Sequence, residues 1–148
     1  MNFTGINRRE IDEIVDSINK FLHQKKNTID DFRLLKRVNG FIVVGSFDFC
    51  YHHDIEIIFE DVSYYKGCMD WSRHDDFEVL EIMAEYVDEK HQSESRLKFV
   101  FHTDGMEVGK QKGEVEIWAS GIGYNTDTVL YYKRDDLKEG QRIAEWVK

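Results

Sequence analysis

The chain contains no proline. Proline is the commonest marker of a linker, so its absence removes the plainest sign of a domain boundary. There are two cysteines, Cys50 and Cys68, and they form no CxxC pair. A zinc ribbon and a thioredoxin-like motif are thereby excluded. No run approaches the roughly 20 apolar residues of a membrane span. The opening "MNFTGINRRE" lacks the apolar stretch of a secretory signal. The expectation is a cytoplasmic protein with both thiols reduced.

Several motifs are also missing. Ser46 in "VGSFD" lacks the G-x-S-x-G nucleophile elbow. Gly121-Ile122-Gly123 lacks the third glycine and the opening helix of a dinucleotide fingerprint, so a bulge or tight bend is expected there. The cationic stretches "HQKKN" and "LLKRVNG" are short and accompanied by acids. No nucleic-acid interface is expected from them. Arg8, Arg9, Lys20 and Lys25 alternate with acids, which describes a solvated helix face rather than a membrane anchor.

What remains is 148 residues, 41% hydrophobic and 14% aromatic. That length predicts one domain, residues 1–148. A chain of this size buries about 70% of its unfolded surface and needs no metal, disulfide or cofactor to fold. The net charge is -9, unevenly spread. Residues 1–40 carry +2, residues 41–95 carry -11, and residues 96–148 balance. An acidic middle repels phosphates and attracts a basic partner.

The first forty residues read as two helices. Asn7 and Glu10 have capping-box spacing, followed by a stripe of Ile11, Ile14, Val15, Ile18 and Leu22. Thr28 is placed to cap a shorter second helix carrying Ile29, Phe32, Leu35 and Val38, with Asn39-Gly40 as its stop. From Phe41 the residues become β-branched and aromatic. "FIVVGSFDFCY" and "DIEIIFEDVSYY" predict a hairpin around Tyr51–Asp54, with Gly45 marking a bulge. Lys66–Asp76 reads as a loop. Residues 77–90 fit both periods, and their strand-like neighbours favour strand. "RLKFVFH", "EVEIWASGIGY" and "TVLYYK" read as further strands. Asp136 and Glu139 have capping-box spacing before Ile143, Trp146 and Val147, which predicts a C-terminal helix. The expected class is α+β: two N-terminal helices, an antiparallel meander of five or six strands, and a C-terminal helix packed on one face.

The stretch "FDFCYHHDIEI" is the densest in chemistry. If it is extended, Cys50, His52, Asp54 and Glu56 share one face. His53 is adjacent, and His102 and Asp104, at the end of another strand, are candidates for a third or fourth ligand; such a set could hold a metal that activates water for hydrolysis. A turn at residues 51–54 would break that alternation. Cys50 as a nucleophile is a weaker reading, because a free cysteine in a strand usually serves as a small apolar residue.

A different chemistry is suggested by "YYKGCMDWSRHDD". Trp71 would anchor an interface, and Asp70, Asp75, Asp76 and Glu78 would select a basic partner. Alternatively, Trp71 folds back as a plug over the sheet end. The leading expectation is a non-enzymatic, acidic protein-binding domain that occludes a basic protein. Small bacterial immunity proteins, which block toxin nucleases, work in this physical mode, and the likeness is one of charge and size. The alternatives are a metal-dependent hydrolase built on the His/Asp cluster and a homodimer paired through an edge strand in "DTVLYYKR".

Overall fold

The computed structural model describes residues 7–38, 40–73, 78–104 and 113–147. Helix α1 spans Arg8–Gln24. The Asn7 side chain accepts the Glu10 N–H at 3.1 Å, so the predicted cap forms at its expected residue. Ile11, Val15, Ile18 and Leu22 are buried, as the stripe requires.

The second predicted helix is a strand. β1 (Asp31–Arg37) pairs antiparallel with β2 (Gly40–Ser46) along its whole length. Phe32 and Leu34 face the core, while Val38 is 98% exposed. The segment also alternates with period two, and a helix this short is marginal without tertiary support. Pairing with β2 instead satisfies its backbone.

Ten further strands follow: β3 (His52–His53), β4 (Ile55–Glu60), β5 (Tyr64–Lys66), β6 (Asp70–Ser72), β7 (Leu80–Tyr86), β8 (Arg96–Thr103), β9 (Gly113–Ala119), β10 (Gly121–Asn125), β11 (Thr128–Leu130) and β12 (Gln141–Ile143). The fold is therefore mostly β, with one α-helix among the described residues, and not the α+β meander expected. A five-stranded sheet has the order β10-β4-β2-β1-β6, and a four-stranded sheet the order β5-β9-β8-β7. A small third sheet has the order β12-β11-β3.

The two larger sheets share one core. Phe59 of the first meets Phe99 and Phe101 of the second at centroid distances of 5.2 and 5.9 Å. Helix α1 contacts β10 and β7, one edge strand from each sheet, and so covers the side between them. The small sheet lies elsewhere: Val44, Val129, Leu130 and Ala144 are buried outside the main cluster.

The C-terminal helix does not form. Gly140 has φ +79°, a left-handed conformation that glycine adopts at little cost, and β12 runs parallel to β11. Because β11 lies between β12 and β3, the proposed edge strand of "DTVLYYKR" is not an edge. The predicted loop 66–76 contains β6, and the ambiguous 77–90 segment contains strand β7. No helix among the described residues is long and apolar enough to cross a membrane.

The hairpin is β2 with β4, joined through residues 47–54. Gly45 marks no bulge, since it sits in regular register between Phe32 and Ile55. A Cβ there would lie 2.8 Å from Ile55 Cγ2 and 2.9 Å from Ile29 Cγ2. Gly45→Ala is expected to cost about 1–3 kcal/mol by overpacking, measured as a lower urea midpoint. An unchanged midpoint would show that the core yields at this point.

Candidate functional site

The structure divides the predicted interface residues. Trp71 is 2% exposed, stacked at 6.0 Å on Phe32 and 5.2 Å from Phe101. Its ring is a strand residue's contribution to the core, so it is not exposed as an interface anchor. Asp70 precedes it on β6 and is exposed, because adjacent strand residues point to opposite faces. Asp75 and Asp76 lie outside the described residues. Glu78 is exposed, just before β7.

The residues of the metal reading are also separated. Asp54 sits in the bend between β3 and β4, so the period-two alternation breaks there. His52 Nδ1 lies 3.2 Å from Asp54 Oδ2 without hydrogen-bond alignment. His102 stands on β8, in a different sheet from His52 and His53, with Nε2 3.3 Å from Glu81 and Nδ1 3.9 Å from Glu114. The donor atoms of Cys50, His52, His53, Asp54, His102 and Asp104 do not gather into a set of three within 4.8 Å.

His53 is instead part of a closed network. It is 1% exposed. Its Nε2 is 2.9 Å from Glu56 Oε2 and its Nδ1 is 2.6 Å from the Tyr131 hydroxyl. A carboxylate only accepts, so Nε2 donates to Glu56; in the neutral ring Nδ1 then accepts from Tyr131. Burial pushes the Tyr131 phenol up to about 12, which keeps that donor protonated. The other Glu56 oxygen accepts from Arg142 and, at 3.1 Å, from Asn125 Nδ2. The hydrogen bond from His53 is the largest cause holding the Glu56 carboxyl below its ordinary range. Both imidazole nitrogens are engaged, so the cluster fastens the small sheet to the outer face of the large one.

A cleft of about 740 Å³ opens between α1 and the edge strand β7. Its position is set by Asn19. The side-chain amide donates to Leu80 O at 2.8 Å and accepts from Leu80 N at 3.0 Å, taking the place of a neighbouring strand. Arg8 bridges Asp12 at 3.0 Å and Glu85 at 3.3 Å, tying the start of the helix to the end of β7. Val15, Leu80 and Ile82 supply apolar lining. The helix wall carries Asp12 and Asp16, four residues apart and hence on one face. The strand wall carries Glu78 and Glu81. Lys20 and His23 sit toward the helix C-terminus.

Among the described residues of the predicted interface, Glu78 alone lines this cleft. Asp12 and Asp16 were missed because acids on an amphipathic helix ordinarily mean a solvated face. Their four-residue spacing was legible, but the strand they face was not. Comparison with protein-family models, curated proteins and solved structures finds no match to this chain.

Proposed function

We propose that the protein is a binding module that occludes a basic segment of a protein partner, with the α1–β7 cleft as its receptor surface. The observation that carries this reading is an acidic excess in one cleft: Asp12, Asp16, Glu78 and Glu81 line it against Arg8, which is already paired with Asp12, and Lys20. An open groove of this kind fits lysine and arginine side chains, whose aliphatic stems would rest on the apolar lining while their charges meet the rims. The excess of acids in residues 41–95 adds a longer-range field that speeds encounter. No reaction is needed, since blocking the partner's basic surface is itself the effect.

The test is an amide-resolved NMR titration with a lysine- and arginine-rich peptide. Expected are shifts concentrated around Asp12–Lys20 and Glu78–Ile82. They should collapse as salt rises from about 0.1 M to about 1 M, where the screening length falls from about 10 to about 3 Å. The double variant Asp16→Lys, Glu78→Lys should weaken binding at least about tenfold, the equivalent of 1.4 kcal/mol. Shifts spread evenly over the acidic surface, or equal affinity of the variant, would defeat the proposal.

A further inference from the structure

The turn that joins β7 to β8 brings together three side chains that neither the cleft nor the His53 network uses. They are Asp88, His91 and Glu94, spaced three residues apart. Gln92–Glu94 form a 3-10 turn with His91 at its N-terminal boundary. A 3-10 helix has three residues per turn, so positions i and i+3 eclipse on one side. That spacing sets His91 and Glu94 on one side of the turn, while Asp88 lies before it and is held beside His91 by accepting the His91 N–H. One donor atom from each lies within 4.8 Å of the other two.

We infer that this turn is a binding site for a divalent metal ion of the zinc class, with Asp88, His91 and Glu94 as its ligands. Four details of the geometry support it. First, Asp88 is held in place: its Oδ1 accepts the N–H of Lys90 at 3.0 Å and of His91 at 2.7 Å, which leaves Oδ2 facing the imidazole. Second, Oδ2 stands 3.7 Å from His91 Nδ1. That is too long for a hydrogen bond. It is close to the roughly 3.4 Å separating two ligands of a tetrahedral ion with bonds of about 2.1 Å. Third, His91 makes no side-chain cap on the turn it precedes and is 67% exposed, so its ring is accessible to an ion. Fourth, the base of the turn is anchored, since the buried Ser95 hydroxyl accepts the Asp88 N–H at 3.0 Å.

The donor set decides the class of ion. One imidazole nitrogen with two carboxylate oxygens suits zinc and neighbouring transition metals, whereas magnesium and calcium favour oxygen donors throughout. Two carboxylates neutralise a divalent charge and relieve the repulsion between Asp88 and Glu94 across the turn. Three protein ligands leave a coordination position for water or for a donor from another molecule. The site stands apart from the cleft, and either can fail without the other.

The experiment is a titration of the chelator-stripped full chain with zinc chloride, followed by amide NMR and repeated with magnesium chloride. The expected result is saturable shifts centred on Asp88–Arg96 with zinc and none with magnesium. His91→Ala and Glu94→Gln should each weaken zinc binding at least about tenfold. Both side chains are exposed, so each variant should keep the wild-type spectrum away from the turn. Cys50 and Cys68 are exposed and bind zinc in their own right, so the location of the shifts is the readout. Zinc shifts that leave the turn unmoved, or variants that titrate like the wild type, would overturn the inference.

Discussion

Replacing Trp71 with alanine is expected to lower the unfolding free energy by about 3–5 kcal/mol, the range for deleting a large buried aromatic. The indole is 2% exposed and lies against Phe32 and Phe101, at the corner where β6 runs on into a bridge between Arg73 and Thr103 of β8. Alanine would leave a cavity where the two large sheets meet. Trp71→Phe should cost much less, about 1–2 kcal/mol, because most of the ring contact survives. The indole Nε1 is buried and has no hydrogen-bond partner among the described residues, so phenylalanine forfeits no bond. Urea unfolding followed by far-UV circular dichroism measures both. A surface anchor would behave differently, with a stability change of about 0.5 kcal/mol or less. A Trp71→Ala variant as stable as the wild type would contradict the core placement.

The second large effect is expected at Glu56. Glu56→Ala removes the acceptor for His53, Arg142 and Asn125 together. Breaking a fully buried ion pair costs about 3–5 kcal/mol. Arg142 is 38% exposed and can turn to water, so about 2–3 kcal/mol is expected here. The pH dependence has a definite sign. The Glu56 carboxyl is depressed in the folded state, first by the His53 hydrogen bond, below the ordinary value of 4.5. Its contribution is therefore complete above that value and is lost as pH falls through the folded pKa. Wild type and Glu56→Gln should differ most near neutrality and converge in acid. A gap that stays constant from about pH 7 to about pH 3 would remove the charged form of Glu56 from the account.

The two regions behave differently because they are built differently. The main core is apolar on both sheets and on the helix stripe. The small sheet has only a few buried apolar side chains, and it is secured by the partly buried His53–Glu56–Arg142 chain of hydrogen bonds. Losing Trp71 removes packing at every pH. Losing Glu56 removes a charge-dependent fastening.

Helix α1 was legible because its signal is local: a cap at Asn7, a stripe at 3.6-residue spacing, and enough length to contain both. The strands of the hairpin and of "RLKFVFH" were legible through alternation and β-branched or aromatic content. The C-terminal helix misled because it rested on only three apolar residues and a capping-box spacing, and the second helix because its few residues fit two periods. Phe32, Leu34 and Leu35 satisfy a helix and a strand alike. Pairing with β2 and β6, from outside the segment, decided for the strand. At the C-terminus the deciding partner was β11.

The candidate sites follow the same division. Composition alone determined the acidic character, the depletion of Lys and Arg between residues 41 and 95, and the absence of the named catalytic motifs. The spacing of Asp88, His91 and Glu94 was also present in the sequence, but it acquires meaning only through the 3-10 turn at Gln92–Glu94 and the bonds that hold Asp88 against His91. Which carboxylates face one another was decided by the tertiary structure. Asp12 and Asp16 share a cleft with Glu78 and Glu81 because α1 lies along an edge strand more than fifty residues away in the chain. His53 and His102 stand in different sheets with separate partners, His53 with Glu56 and Tyr131 and His102 beside Glu81 and Glu114. Periodicity reports the chain's own local preference. A site made by distant segments depends on sheet order and strand register, which are set by the burial of apolar faces against partners that no local window contains.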